Sequence, residues 1–230
     1  MEFHGFQKLT LLDFPGKTAC TLFTGGCDLR CPFCHNADLV LHPEAAPTVG
    51  EAEILAYLER RRGVLDGVAI TGGEPLMHPE LAPFLRQVRG MGFAVKLDTN
   101  GTYPLRLRTL VEEGLLDYVA MDVKASPAAY PAVVGIPNYN TERIAESIRF
   151  LLTDAVDYEF RTTVVREFHD LAGMEALGQW IRGAKRHYLQ AFKDSGALIG
   201  AGLSPVPKSE MLQMREIMLQ YVQACEVRGV

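Results

Sequence analysis

An alternation between two kinds of segment runs through most of the 230-residue chain. Short apolar runs rich in β-branched residues, which are typical of buried strands, alternate with segments whose apolar residues recur at helical spacing. The six strands predicted in this way are Thr18–Thr24, Gly67–Thr71, Phe93–Thr99, Leu116–Lys124, Tyr158–Val165 and Arg186–Phe192. Strands joined through helices pair in parallel by right-handed crossovers. The chain is therefore predicted to be an α/β protein whose parallel sheet is either doubly wound or curved into a barrel.

Helices are predicted in most of the intervals between these strands. The clearest begins near Thr48, which has the spacing of a capping box with Glu51. An apolar stripe follows at Ile54, Leu55 and Leu58. The other predicted helices lie near Glu80–Arg89, Pro104–Glu113, Thr141–Leu152 and Met174–Lys185.

Two parts are predicted along the chain. Residues 1–192 hold all six strands and an N-terminal extension, and they form the main α/β unit. Residues 193–230 begin with a Gly/Pro-rich connection at 193–207. They continue as a helix at 208–224, which is predicted to pack on the main unit.

The composition excludes several classes of protein. Hydrophobic residues make up 48% of the chain and charged residues 22%, which suits a sizeable core and argues against wholesale disorder. A formal net charge of -5 favours neither nucleic acid nor an anionic membrane as a partner. No apolar run reaches the ~18 residues of a membrane span, and Met1–Gly5 lacks the features of a signal peptide. We therefore predict a cytoplasmic protein.

Three of the five cysteines lie close together, directly after the first predicted strand. Cys27, Cys31 and Cys34 have the spacing C-x3-C-x2-C, so a short loop can wrap three thiolates around one iron–sulfur cluster. Such clusters are usually held by four cysteines. The other two are poorly placed, because Cys20 lies inside the first strand and Cys225 at the end of the last predicted helix. Three protein ligands would leave one iron open, which is a mark of catalytic metal sites.

Two other uses of these cysteines are possible. A structural zinc ion would take the three thiolates and His35, although zinc sites usually pair two C-x2-C ribs and this sequence has one. A disulfide framework is disfavoured by the odd number of cysteines and by a reducing compartment.

Polar motifs follow four of the later predicted strands, where the loops of a parallel α/β fold carry chemistry. They are Gly72-Gly73-Glu74-Pro75, Asp98-Thr99-Asn100-Gly101, Asp122-Val123-Lys124 and the pair Arg161 and Thr163. Asp122 and Lys124 are two residues apart, so they share one face of their strand, and the pair on the fifth strand has the same spacing. Ordinary structural explanations are a βα turn, an Asn-Gly turn and ion pairs between buried charges.

The loop from Gly25 to Asn36 resembles a known family signature. Its Cys-x3-Cys-x-Phe-Cys pattern is that of the radical S-adenosylmethionine superfamily, and the following His35-Asn36 resembles the glycyl-radical enzyme activases. The stretch from Gly5 to Asn36 resembles the longer variant of the anaerobic ribonucleoside-triphosphate reductase activating proteins. The resemblance covers nearly the full chain. It implies an incomplete (β/α)6 barrel at residues 1–192, with a [4Fe-4S] cluster at its C-terminal mouth.

The resemblance assigns the cofactors to particular residues. Cys27, Cys31 and Cys34 bind the cluster, and its open iron chelates the amino and carboxylate groups of S-adenosylmethionine. The residues expected to contact S-adenosylmethionine are Phe33, Asn36, Gly72, Gly73, Glu74, Asp98, Asp122, Lys124 and Arg161. Among them, Phe33 lies near the adenine, and the Gly-Gly-Glu segment holds the methionine ammonium.

Charged residues at the strand ends have further implied roles. Asp98, Thr99 and Asp122 are expected to hold a monovalent cation, K⁺ or Na⁺, as the matching segments do in pyruvate formate-lyase activase. Lys124 is expected to join the three cysteines as a catalytic residue. We also expect Asp98 and Asp122 to converge at the barrel mouth with a positive group between or beside them, because two facing carboxylates repel each other.

The activity implied is the reductive cleavage of S-adenosylmethionine to methionine and a 5′-deoxyadenosyl radical, with an electron from reduced flavodoxin or ferredoxin. The radical would take a hydrogen atom from a glycine Cα of a partner, such as anaerobic ribonucleotide reductase. The sixth strand departs from one relative, because Tyr188-Leu189-Gln190 stands where pyruvate formate-lyase activase has Pro-Tyr-His. His169, after the fifth strand, is predicted to be a solvated loop histidine.

Two alternatives to an activase remain. The first is a radical enzyme acting on a small molecule, such as a 7-carboxy-7-deazaguanine synthase, although that family usually shows Cys-Asp-Thr where this chain has Cys34-His35-Asn36. The second is a non-enzymatic metal-binding module, against which the motifs at successive strand ends argue. Activases with accessory ferredoxin domains are excluded because the sequence has no further cysteine cluster.

Overall fold

The computed structural model describes residues 1–229. Its strands are β1 (Glu2–Phe3), β2 (Gly5–Thr10), β3 (Ala19–Thr24), β4 (Val49–Gly50), β5 (Gly67–Gly72), β6 (Ala94–Thr99), β7 (Tyr118–Asp122), β8 (Asp157–Val164), β9 (His187–Ala191) and β10 (Cys225–Arg228). Its α-helices are α1 (Ala37–Leu41), α2 (Glu51–Arg60), α3 (Leu81–Gly90), α4 (Pro104–Glu112), α5 (Tyr130–Val133), α6 (Glu142–Leu151), α7 (Leu171–Trp180) and α8 (Lys208–Met218). All six predicted strands are present.

Eight strands form one sheet in the order β10-β9-β8-β7-β6-β5-β3-β2. From β3 to β10 every neighbouring pair is parallel, whereas β2 runs antiparallel to β3. Within the described residues, β2 and β10 form the two edges and do not pair with each other. The six predicted strands at the centre, linked through helices, make the incomplete (β/α)6 barrel that the sequence indicated.

The start of α2 differs from the prediction. Gly50 is its N-cap and no side chain caps the helix, so the capping box of Thr48 and Glu51 is wrong. The cause is a contact distant in sequence, because Val49–Gly50 pairs with β1 and places Thr48 ahead of a strand. Glu51 instead accepts a hydrogen bond from the terminal ammonium of Met1 at 3.0 Å.

The C-terminal end also differs from the prediction. The last helix ends at Met218, not at 224, and residues Cys225–Arg228 continue as β10. Cys225 therefore begins a strand and does not end a helix. Pairing with the free backbone groups of β9 explains this change, because a strand edge offers hydrogen bonds that a frayed helix end does not.

The apolar core lies mainly between the sheet and the helices that cover its outer face. A second, small cluster of Phe14, Ala19, Tyr118 and Ala120 fills the N-terminal end of the barrel interior. Its presence leaves the C-terminal mouth as the open end. No helix within residues 1–229 combines the length and the apolar character that crossing a membrane requires.

Candidate active site at the mouth of the barrel

A cavity of about 240 Å³ opens at the C-terminal ends of the parallel strands β3, β5, β6, β7, β8 and β9. Every predicted site residue except Glu74 lines it. The ends of parallel strands meet at one edge of a sheet, so motifs scattered along the sequence converge here. Gln190, at the point of departure in the sixth strand, also lines the cavity.

The cysteine loop is fixed by backbone contacts with its neighbours. The Gly26 N–H donates to the carbonyl of Leu39 at 2.7 Å, and the Gly26 carbonyl accepts from the N–H of Glu74 at 2.8 Å. A Cβ atom at Gly73 would lie 1.7 Å from the carbonyl oxygen of Gly26, so this close approach requires glycine. The loop therefore depends on the Gly-Gly-Glu segment for its position.

The three cysteines fit the group that the sequence implies. Cys27, Cys31 and Cys34 face one cavity, and burial raises the pKa of Cys27 to about 12 and that of Cys31 to about 11. These thiols are protonated at neutral pH unless a metal binds, because thiolates are the form that ligates metals. Cys20 and Cys225 lie in β3 and β10, outside the cavity. The donor set is thus three cysteines, which suits a [4Fe-4S] cluster with one open iron.

The zinc alternative requires the three thiolates and His35 to surround a single ion. Among residues 1–229, no three side chains of His, Cys, Asp or Glu are grouped closely enough to hold a single metal ion. The ring of His35 lies 6.0 Å from that of Phe192, and burial lowers the pKa of His35.

Phe33 and Asn36 form the wall of the cavity next to the cysteines. Phe33 is buried and packs against Phe168, with ring centroids 6.1 Å apart. The side-chain amide of Asn36 donates to the carbonyl of Gly72 at 2.8 Å, which ties the cysteine loop to the end of β5. The arrangement gives the cavity one aromatic wall and a fixed polar rim.

The carboxylate of Glu74 lies behind the cavity wall. Glu74 is 1% exposed and accepts hydrogen bonds from Leu76 N at 3.0 Å, from Thr99 Oγ1 at 2.8 Å and from Asn100 N at 2.7 Å. Burial raises the pKa of Glu74 to about 8 in spite of these three donors. The side chain joins the loops after β5 and β6, and Thr99 turns its hydroxyl toward it.

Charged side chains from three strands meet in the cavity. Arg161 donates through Nη1 to Asp98 at 3.2 Å and through Nε to Asp122 at 2.9 Å, and Lys124 donates to Asp122 at 2.8 Å. The predicted convergence of Asp98 and Asp122 around a positive group is confirmed. Burial alone would raise the pKa of Asp122, but Arg161 and Lys124 hold it well below its usual range.

Lys96 is a charged residue that the sequence reasoning missed. It is 3% exposed and donates to Asp98 through its ammonium group. Its signal was present in the sequence, because it lies two residues before Asp98 and so on the same face of β6. We call Lys96, Asp98, Arg161, Asp122 and Lys124 the ion-pair chain.

Two further residues near the cavity were missed or misjudged. Asn100 donates through its amide to Asp28 at 3.0 Å and lies 3.6 Å from the sulfur of Cys27. The prediction of a solvated His169 is wrong, because this side chain is buried and its Nε2 lies 2.8 Å from the carbonyl oxygen of Lys124. His169 is buried because the short loop after β8 folds back over the end of the strand, which no local sequence pattern predicts.

Comparison with known proteins identifies the family. A family model described as the Radical SAM superfamily matches residues 21–168. The chain belongs to the radical SAM superfamily. Its fold agrees, since Streptococcus suis SuiB in complex with its precursor peptide SuiA aligns with a TM-score of 0.69 at 13% identity. That alignment covers 91% of this chain and 48% of SuiB.

Three relatives of known name match this radical SAM protein over most of its length. A Methanocaldococcus jannaschii protein named "Putative glycyl-radical enzyme activating enzyme" is 29% identical, covering 98% of this chain and 95% of the relative. A 7-carboxy-7-deazaguanine synthase of Methanopyrus kandleri is 27% identical, covering 86% and 87%. The pyruvate formate-lyase 1-activating enzyme of Escherichia coli K12 is 29% identical, covering 73% and 69%.

Proposed function

We propose that this protein is a glycyl-radical enzyme activase. It would bind a [4Fe-4S] cluster on Cys27, Cys31 and Cys34 and cleave S-adenosylmethionine reductively, in order to install a glycyl radical on a partner enzyme. The observation that carries the proposal is the shared cavity, in which the three thiols face the charged ends of β6, β7 and β8. Two of the relatives bear the name of an activating enzyme, which supports the same reaction class.

The residues of the cavity suit the parts of S-adenosylmethionine. A [4Fe-4S] cluster held by Cys27, Cys31 and Cys34 would supply the electron for reductive cleavage of the sulfonium–C5′ bond, which gives methionine and a 5′-deoxyadenosyl radical. Lys124 and Arg161 place positive charge where the methionine carboxylate needs a partner. Phe33 offers an aromatic wall to the adenine. Gly72 and Gly73 let the end of β5 approach the backbone of Thr24 and Gly26, which positions the cysteine loop at the cavity.

Asp98 and Asp122 act by holding these two cations in place. Each carboxylate accepts from Arg161, so the guanidinium has one orientation toward the cavity. Preorganised charges of this kind need no rearrangement when the ligand binds.

The partner would be a protein with a flexible glycine loop, and anaerobic ribonucleotide reductase is our candidate. The edges of the sheet at β2 and β10 are not paired with each other within residues 1–229, so strands do not close the barrel. A reduced flavodoxin or ferredoxin would supply the electron. These proposals for the partner and the electron donor assume that this chain shares the activity for which the relatives are named.

An anaerobic incubation tests the proposal directly. The cluster-loaded protein, S-adenosylmethionine, a reductant and a candidate partner enzyme should give the electron paramagnetic resonance doublet of a glycyl radical. The partner with its radical glycine changed to alanine is the control and should give no doublet. Formation of 5′-deoxyadenosine without a doublet for any glycyl-radical enzyme would contradict the activase assignment.

One observation favours a second candidate. The match to a 7-carboxy-7-deazaguanine synthase covers most of both chains, so a small purine-like substrate is an alternative to a protein. The two functions separate in one assay, because a synthase forms its product with no partner enzyme present. Turnover of a pterin-type substrate under anaerobic conditions would establish this alternative.

A further inference from the structure

The ion-pair chain uses both oxygens of each of its carboxylates. Asp98 accepts from Lys96 through Oδ1 and from Arg161 through Oδ2 at 3.2 Å. Asp122 accepts from Arg161 through Oδ1 at 2.9 Å and from Lys124 through Oδ2 at 2.8 Å. Positive and negative groups therefore alternate from Lys96 to Lys124.

The expected monovalent cation does not fit these residues. A K⁺ or Na⁺ ion needs oxygen ligands, and the four carboxylate oxygens of Asp98 and Asp122 already face side-chain cations. Thr99, the third expected ligand, directs its hydroxyl at Glu74 at 2.8 Å. The ion-pair chain also has three positive side chains for two carboxylates. One net positive charge therefore remains for an anionic ligand without any added metal ion.

Lys96 is placed inside the barrel by its strand neighbours. It lies on β6 opposite Ala69 of β5 and Tyr118 of β7, and Ala120 lies opposite Asp98. The small side chains of Ala69 and Ala120 leave space for an extended lysine. Burying an ammonium group is costly unless it is paired, and its partner is Asp98, which is itself bound to Arg161.

We propose that Lys96 is a positioning residue that replaces a soluble monovalent cation at this site. Its ammonium group holds Asp98, and Asp98 holds Arg161 in the orientation that receives the ligand's carboxylate. The inference rests on the proposed binding of S-adenosylmethionine, but not on the glycyl-radical step. It has two consequences: the wild-type protein works without K⁺ or Na⁺, and removal of Lys96 creates a need for such an ion.

Two substitutions separate the loss of charge from the gain of space. Lys96→Ala removes the ammonium group and opens room beside Asp98, whereas Lys96→Met removes the charge but fills the room. The cluster-loaded proteins are prepared anaerobically, and their affinity for S-adenosylmethionine is measured by calorimetry in K⁺ and in tetramethylammonium at equal ionic strength. Lys185→Ala is the matched control, because Lys185 pairs with Asp154 at 3.0 Å on the surface.

The wild type and Lys185→Ala should bind S-adenosylmethionine equally in both salts. Lys96→Ala should lose about tenfold in affinity in tetramethylammonium, since a hydrogen bond between charged groups is lost, and should regain most of it in K⁺. Lys96→Met should lose a similar factor in both salts. Rescue by K⁺ is specific to the proposed role, because a general packing defect would not respond to the choice of cation.

Three results would overturn the inference. They are a wild-type affinity that rises with K⁺, a Lys96→Ala protein that binds like wild type in tetramethylammonium, and a Lys96→Ala defect that is equal in both salts. If the wild type binds no S-adenosylmethionine at all, the proposed function fails first. The thermal unfolding midpoints of the same proteins without ligand then test the role of Lys96. Only Lys96→Ala should have a higher midpoint in K⁺ than in tetramethylammonium.

Discussion

The two ends of the barrel interior are built differently on the same strands. At the N-terminal end, Phe14, Ala19, Tyr118 and Ala120 form a closed apolar cluster. At the C-terminal end, inward positions carry the ion-pair chain and line the cavity. The strand β7 contributes to both, since Tyr118 and Ala120 point into the cluster and Asp122 into the cavity.

The comparison teaches how one barrel separates stability from chemistry. The apolar cluster packs side chains of β3 and β7 together. The buried carboxylate beside it, Glu159, accepts from the hydroxyl of Tyr118 at 2.8 Å and pairs with Arg228 at 3.2 Å. The mouth then accommodates buried charges, because each of them has a partner of opposite sign within the ion-pair chain. Changes at the mouth should affect ligands, and changes at the apolar end should affect stability.

The largest expected effect follows from the cysteine loop. Cys31→Ala should abolish cluster binding, because two thiolates cannot hold a [4Fe-4S] cluster at the mouth. Iron and sulfide analysis together with visible absorbance after anaerobic reconstitution measures the loss. Cys27→Ala and Cys34→Ala should behave in the same way.

The two cysteines outside the cavity are the matched controls. Cys20→Ala and Cys225→Ala should retain about four irons per chain, as expected for one cluster. Loss of iron from either control, or tight binding of zinc with no iron–sulfur absorbance, would contradict the assignment of ligands.

The second largest effect is on ligand affinity, and it compares an aspartate at the mouth with one at the N-terminal end of a strand. Asp122→Asn should weaken the binding of S-adenosylmethionine by about a hundredfold, because Arg161 and Lys124 lose a buried partner. The absorbance of the cluster should not change. Asp157, at the N-terminal end of β8, forms an exposed ion pair with Arg186. Asp157→Asn should therefore bind the ligand like wild type, and equal losses in both variants would refute the division between the ends.

Much of the fold was predictable because its signals are local. Strands β3, β5, β6, β7, β8 and β9 follow from short apolar runs, and the convergence of their ends follows from parallel pairing. The strands β2 and β10 were missed, because an edge strand is fixed by backbone pairing with a neighbour distant in sequence. The capping box of Thr48 failed for the same reason, since β1 draws Val49–Gly50 into a strand.

The site was predictable in its residues but not in its pairing. The sequence shows that Asp98, Asp122, Lys124 and Arg161 lie at strand ends, and this is sufficient to bring them together. Which oxygen meets which cation depends on register, and Asp122 lies directly opposite Arg161 on the neighbouring strand. That register is a tertiary property, so the sequence alone did not show that Arg161 donates to both carboxylates.

A smaller effect tests the apolar end. Phe14→Leu should lower the free energy of unfolding by roughly 1–2 kcal/mol, because Phe14 is 2% exposed and packs against Tyr118 with ring centroids 6.3 Å apart. Denaturant titration measures the change. Affinity for S-adenosylmethionine should remain within twofold of wild type. A larger loss would show that the apolar end also contributes to ligand binding. Leu12→Ala is the control, because Leu12 is 91% exposed and should shift stability by less than about 0.5 kcal/mol.

The last expected effect depends on pH and concerns a buried group that has no charged partner. His187 is fully buried in β9, and its Nε2 lies 2.9 Å from the hydroxyl of Thr162. Burial lowers the pKa of His187 to about 3, whereas the ordinary value is 6.5. The ion-pair chain keeps its groups charged through pairing, whereas the wall of the barrel keeps His187 neutral.

The sign of the pH effect follows from this difference. Between pH 3 and 6.5 the unfolded chain binds a proton at His187 that the folded chain does not. The contribution of His187 to the free energy of unfolding is therefore complete above pH 6.5. It falls as the pH drops, by up to about 1.4 kcal/mol per pH unit. His187→Gln should be less stable than wild type at pH 7.5, and the gap should narrow toward pH 5. Denaturant titrations across this range measure the gap, with the exposed His42→Gln as the control. A gap that stays constant would show that His187 is protonated in the fold, and the contrast between a charged mouth and a neutral wall would then be lost.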